Sequence, residues 1–304
     1  MLSRRALLLV VIGAMCGCAL AATTLTAQAT PLVVSTEWLA AHLTDPATVV
    51  LQIELPEADS GHAAGHIPGA RVVSYMSFIA TVNGISTELP TVDSLRALFE
   101  AAGVSTASHV VLTGPPLAVT RAFFTLDYLG LQDVSALDGG VTKWKMEGRP
   151  LETAAVTAAR GHIVPSPRPT IVASAPWVLA NINKPGVSLI DTRTPEEYAG
   201  VAERHGYRSN GHIEGARLLQ WEQMFSDEND FALKPRTELE RLWRERVTPG
   251  DTVVAYCMVG YRASATYYVS RLLGYPVKLY DGSYQEWANK KLPVSTAATP
   301  LRTP

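Results

Sequence analysis

Short apolar runs alternate with stretches of helical period along most of the chain. In the second half, Val187 to Ile190, Val253 to Tyr256 and Val277 to Tyr280 are largely apolar runs of strand length. Between and after them, Thr237 to Arg246 puts Leu239, Leu242 and Trp243 on one helical face. Ala263 to Leu273 reads as a helix closed by Gly274, and Tyr284 to Asn289 as a short helix. Strands alternating with helices predict an α/β fold, a parallel sheet with helices on both faces. Such sheets bind ligands beyond the carboxyl ends of their strands, on loops that lead into helices.

The pattern occurs twice. Gly65-His66-Ile67-Pro68-Gly69-Ala70-Arg71 returns as Gly211-His212-Ile213-Glu214-Gly215-Ala216-Arg217. Val110-Val111, Leu129-Gly130, Asp138-Gly139, Trp144 and Pro150 return at Val253-Val254, Leu273-Gly274, Asp281-Gly282, Trp287 and Pro293, displaced by 143 or 144 residues. A period this long means tandem domains rather than a solenoid. We read residues 32–152 and 171–295 as the two domains and 296–304 as a tail. Pro165, Pro167 and Pro169 make 153–170 an extended linker.

The start of the chain reads as an export signal covering residues 1–29. Arg4 and Arg5 head an apolar run from Ala6 to about Ala22, and Ala27-Gln28-Ala29 fits a cleavage site. Ser3-Arg4-Arg5 also loosely resembles a twin-arginine signal. Gly17-Cys18 keeps a second reading open, a membrane-anchored lipoprotein carrying its lipid on Cys18. The primary expectation is an exported, periplasmic protein.

Export sharpens the cysteine count. Of three cysteines, Cys16 and Cys18 lie in the signal, which leaves Cys257 alone. An unpaired thiol in an exported protein is a candidate reactive group. Cys257 directly follows the run Val253–Tyr256 and opens the loop Cys257-Met258-Val259-Gly260-Tyr261-Arg262 before a helix. Gly260 permits the backbone to turn the loop amides of Met258, Val259, Gly260 and Tyr261 inward as an anion nest. The helix start and Arg262 add positive potential, so the thiolate is favoured. The same nest suits a persulfide, and the reaction would be ping-pong at a covalent sulfur.

Asp191-Thr192-Arg193, Gly211 to Ala216, Cys257 to Arg262 and Asp281-Gly282, in this order and with a degenerate first copy, resemble two-domain rhodaneses, the family of thiosulfate and 3-mercaptopyruvate sulfurtransferases. The resemblance implies two rhodanese domains, each a parallel sheet flanked by helices. It implies a Cys257 persulfide that receives sulfur from a donor such as thiosulfate and passes it to a thiol or cyanide. It also implies an inactive N-terminal copy beside the active loop. The equivalent loop there, Leu112-Thr113-Gly114-Pro115-Pro116-Leu117, has no cysteine, and two prolines remove amides from any nest.

Other residues carry plainer readings. Arg193 is read first as a pin for its strand end and second as a donor-binding cation. His66, His212, Asp138 and Asp281 recur in both copies, including the one without a cysteine, so they are read as structural, the two aspartates as ordering Asp-Gly turns. Where some relatives carry a donor-binding arginine, this chain has Glu197, expected to repel an anionic donor. The histidines show no zinc spacing and no cofactor or metal is expected. A net charge of −2 gives no reason to expect nucleic acid as a partner. Two rival functions stand beside the enzyme: a periplasmic persulfide carrier, and a cysteine phosphatase. The phosphatase needs five residues between cysteine and arginine, and this chain has four.

Overall fold

A computed structural model describes residues 30–56, 65–204, 207–208, 210–227 and 230–302. The signal reading of 1–29, with Cys16 and Cys18, lies outside the described residues. Among those described, no helix is long and apolar enough to cross a membrane.

Two five-stranded sheets share one topology. The first runs Val33–Val34, Val134–Leu137, His109–Thr113, Thr48–Glu54, Arg71–Ser74. The second runs Val172–Ala173, Val277–Tyr280, Thr252–Tyr256, Val187–Asp191, Arg217–Leu218. Every pairing in both is parallel. The strand Thr252–Tyr256 is flanked on both sides and buried from Val253 to Tyr256, which explains its unbroken apolar run. The predicted helices occur at Arg236–Arg244, Ala263–Leu272 and Ser283–Asn289, with ends one or two residues from expectation.

The repeated landmarks have common physical causes. In both copies the motif glycines have positive φ: Gly65 and Gly69 at 134° and 74°, Gly211 and Gly215 at 119° and 77°. Both motifs close the same turn, Ala70 N–H to Ile67 O at 2.9 Å and Ala216 N–H to Ile213 O at 3.0 Å. Trp144 and Trp287 donate their indole N–H to Pro150 O and Pro293 O, each at 2.8 Å. His212 stacks on Tyr198 at 3.6 Å and bonds Tyr198 O, a packing role.

The two domains share a core. Helix Pro116–Leu129 is buried at every residue but Tyr128, and Ala263–Leu272 is buried from Ala263 to Ser270. A helix buried on all sides needs cover on all sides, and these two cover each other. Phe123 meets Tyr268 and Phe124 meets Tyr267 edge-on, with centroids 4.7 and 5.0 Å apart. Thr120 and Ser264 hydroxyls bond at 2.9 Å, and Tyr267 donates to Asp127 at 2.6 Å. The linker docks rather than swinging free: Ile163 is buried, and Ser166 and Arg168 N–H donate to Leu129 O and Tyr128 O.

Two hairpins were not evident from the hydrophobic pattern. Ala80–Val82 pairs with Ile85–Glu88 around Asn83-Gly84, and Phe225–Asp227 pairs with Ala232–Leu233. Each crosses to the other domain. The first sends Leu89 N–H to Asp281 Oδ2 at 2.9 Å and Ser86 N–H to Gln285 Oε1 at 3.0 Å. Between the strands of the second, Phe231 O accepts from Gly139 N–H at 2.8 Å, and Asp230 Oδ2 from Thr142 N–H at 3.0 Å.

Candidate active site

Cys257 emerges at the carboxyl end of the central strand Thr252–Tyr256. The strand end is pinned from both sides. Tyr256 donates its hydroxyl to Asp191 Oδ2 at 2.7 Å, accepts from Ile213 N–H at 3.1 Å, and its carbonyl accepts from Thr192 N–H at 3.0 Å. Asp191 in turn is held by Arg193, fully buried, through Nε at 3.0 Å and Nη2 at 2.6 Å. The same guanidinium donates to Gly211 O at 2.9 Å and stacks 4.0 Å from the Tyr284 centroid. Arg193 therefore braces the strand end behind the loop.

The loop's carbonyls are held from outside it. Cys257 O accepts from Tyr284 N–H at 3.0 Å, Met258 O from Gln285 N–H at 2.9 Å, and Val259 O from the Thr87 hydroxyl of the N-terminal hairpin. No described peptide bond is cis. A trans peptide sets each carbonyl opposite the next N–H, so the amides of Met258, Val259 and Gly260 point away from those partners. Among the described residues, the N–H groups of Met258, Val259, Gly260, Tyr261 and Arg262 have no acceptor. Consecutive free amides beside a cysteine make an anion nest. The Cys257 amide itself donates to Ser283 Oγ at 3.2 Å.

Gly260 has φ +84°, and a Cβ there would sit 2.7 Å from Asp281 O and Oδ1 and 3.4 Å from Arg121 Nη1. The loop thus touches a buried ion pair that spans the domains. Arg121, on the helix Pro116–Leu129, donates to Asp281 Oδ1 at 2.5 Å and to Thr87 O at 2.6 Å. Asp281 is more than a turn-former: its side chain joins the domains beside the loop. Arg121 escaped the sequence reading, although a single arginine inside Pro-Leu-Ala-Val-Thr-Arg-Ala-Phe-Phe was its signal.

Arg262 ends the loop with its guanidinium bidentate on Glu197, at 2.7 and 2.8 Å. This corrects the expectation that Glu197 would repel a donor: it is a partnered, buried carboxylate. It also caps the helix Pro195–Ala199 in a capping box with Thr194. Two of the five guanidinium donors go to Glu197, and Cys257 lies within the field of Arg262. Burial disfavours the Glu197 charge, but the hydrogen bond and charge of Arg262, with the Thr194 amide, hold it at about 2. The folded carboxyl therefore ionises below its usual value of 4.5. It contributes stability above that value which is lost as pH falls towards 2. Glu197→Gln is expected to lower the urea midpoint at pH 7 and to flatten its decline between pH 5 and 3.

Cys257 has no exposed surface. Beside it, the Tyr75 ring of the N-terminal domain packs 4.6 Å from the Tyr261 ring of the loop. Among the described residues, no group of three or more His, Cys, Asp or Glu side chains is arranged to hold a metal ion.

Comparison with known proteins agrees with this architecture. The rhodanese-like domain model matches residues 35–147 and 174–290. The chain is 34% identical over 275 residues to a protein named sulfur carrier protein TtuD from Thermus thermophilus, covering 85% of this chain and 94% of that one. It is 31% identical to a thiosulfate sulfurtransferase of Azotobacter vinelandii, again over 85% of this chain and 94% of the relative. The crystal structure of SseA from Escherichia coli, titled as a 3-mercaptopyruvate sulfotransferase, superposes with a TM-score of 0.72 at 24% identity, covering 84% of this chain and 99% of SseA. With two matched domains and such relatives along most of its length, the chain belongs to the rhodanese family.

Proposed function

We propose that this protein is a sulfurtransferase that carries sulfane sulfur on Cys257. The observation that carries the reading is the run of acceptor-free loop amides beginning next to that residue. With thiosulfate as donor, the Cys257 thiolate attacks the outer sulfur. A new S–S bond forms, the donor's S–S bond breaks, and its electron pair leaves with sulfite. An acceptor such as cyanide or a thiol then takes the outer sulfur and restores the thiolate. Relatives named thiosulfate sulfurtransferase support this donor. The apolar Met258 and Val259 give a thiosulfate dianion no side-chain charge in the loop, so Arg262 and the amides bear that task. Intact mass after incubation with thiosulfate, and separately with 3-mercaptopyruvate, tests the reading. Wild type should gain one sulfur atom and lose it to cyanide; no gain from either donor sinks the proposal.

A carrier reading has one specific support, the relative named as a sulfur carrier protein. It differs in kinetics: a catalyst turns over many times with cyanide or a dithiol, a carrier unloads once to a protein acceptor. We further propose export to the periplasm, supported by Arg4-Arg5, the apolar run after them and Ala27-Gln28-Ala29. Amino-terminal sequencing of the mature protein should begin at Thr30. A lipid-modified Cys18 would instead place the protein on a membrane.

A further inference from the structure

Tyr75 opens the short helical turn Tyr75–Phe78 that follows the strand Arg71–Ser74 of the N-terminal domain. Its ring is wedged between Phe78, 5.5 Å away, and Tyr261 of the catalytic loop, 4.6 Å away, and the residue is 6% exposed. Its hydroxyl oxygen is buried and has no hydrogen-bond partner among the described residues. Leaving a buried hydroxyl unpaired costs about 1–3 kcal/mol. A group kept at that cost beside a reactive centre points to a ligand that completes it. The surroundings say which kind. The hydroxyl lies within the fields of Arg121, Cys257 and Asp281. Burial pushes its pKa well above the ordinary tyrosine value, Arg121 pulls against this, and Cys257 and Asp281 add to the rise. At any working pH the group is therefore a neutral O–H donor.

Resting on the reading of Cys257 as sulfur carrier, we propose that Tyr75 is a catalytic residue supplied by the N-terminal domain, whose O–H donates a hydrogen bond to the anionic outer sulfur of the Cys257 persulfide. When sulfur arrives, the negative charge moves one S–S bond, about 2 Å, outward from Cys257. The acceptor-free loop amides begin at Met258, next to the inner sulfur's residue, and Tyr75 meets the displaced charge across the domain interface. The bond forms as the charge moves, so it lowers the barrier to loading more than it tightens donor binding.

The test is Tyr75→Phe, which keeps the ring and removes the oxygen. The rate of persulfide formation is followed by intact mass across a range of thiosulfate concentrations, with thermal midpoints measured for both proteins. The expected result is loading slowed by about 10- to 100-fold at saturating donor, as for loss of one hydrogen bond to a charged atom. The half-saturating concentration should stay the same and the midpoint should be unchanged or higher. Wild-type loading by the variant would overturn the inference while leaving the Cys257 reading intact. Slower loading accompanied by a clear fall in midpoint would overturn it as well, by making Tyr75 a packing residue. If wild type itself takes up no sulfur, both readings fall together.

Discussion

Cys257→Ser should form thiocyanate from thiosulfate and cyanide about 10⁵-fold more slowly than wild type, the scale on which removing a covalent nucleophile acts. The argument is that every bond made and broken in the proposed cycle involves that sulfur. The exchange replaces one atom in a fully buried position and leaves intact the backbone bonds to Ser283, Tyr284 and Gln285 that shape the loop. The denaturation midpoint should therefore change little, which separates lost chemistry from lost fold. Activity within tenfold of wild type would mean that sulfur is held elsewhere or passed without a covalent intermediate.

The second large effect lies at the domain junction. Arg121→Met should lower stability by about 3–5 kcal/mol, because it strands Asp281 without its cation in a place where that carboxylate is 3% exposed. The same change removes the bond to Thr87 O, so the hairpin that holds Val259 O loosens and sulfur loading falls. Combining it with Asp281→Asn should recover much of the stability, since a pair replaced together leaves no lone buried charge. Urea midpoints of the two single variants and the double variant give the coupling. Additive losses would show that the two side chains do not act as a pair.

Much of this was legible in the sequence because it is local. A constant offset between repeats fixed two domains, and an apolar run followed by a glycine-containing loop and a helix marked where a ligand nest could form. The landmarks proved to be turns and indole–carbonyl bonds made within a few residues of each other. What escaped was made at long range. Glu197 looked like a repelling anion because its partner, Arg262, stands 65 residues further on. Asp281 looked like a turn-former because Arg121 reaches it from 160 residues away. Tyr75 and Thr87 escaped because what they meet, the Tyr261 ring and Val259 O, lies in the other domain, beyond any local period.

The reciprocal grip of the hairpins has a further meaning. Each half grasps the Asp-Gly turn of the other through its fourth following residue, Thr142 in one case and Gln285 in the other. That is the isologous contact of a two-fold dimer, here fused into a single polypeptide. Fusion releases the halves from having to stay identical. One could surrender its nucleophile to a pair of prolines and still be retained, as masonry around the sulfur of its sister.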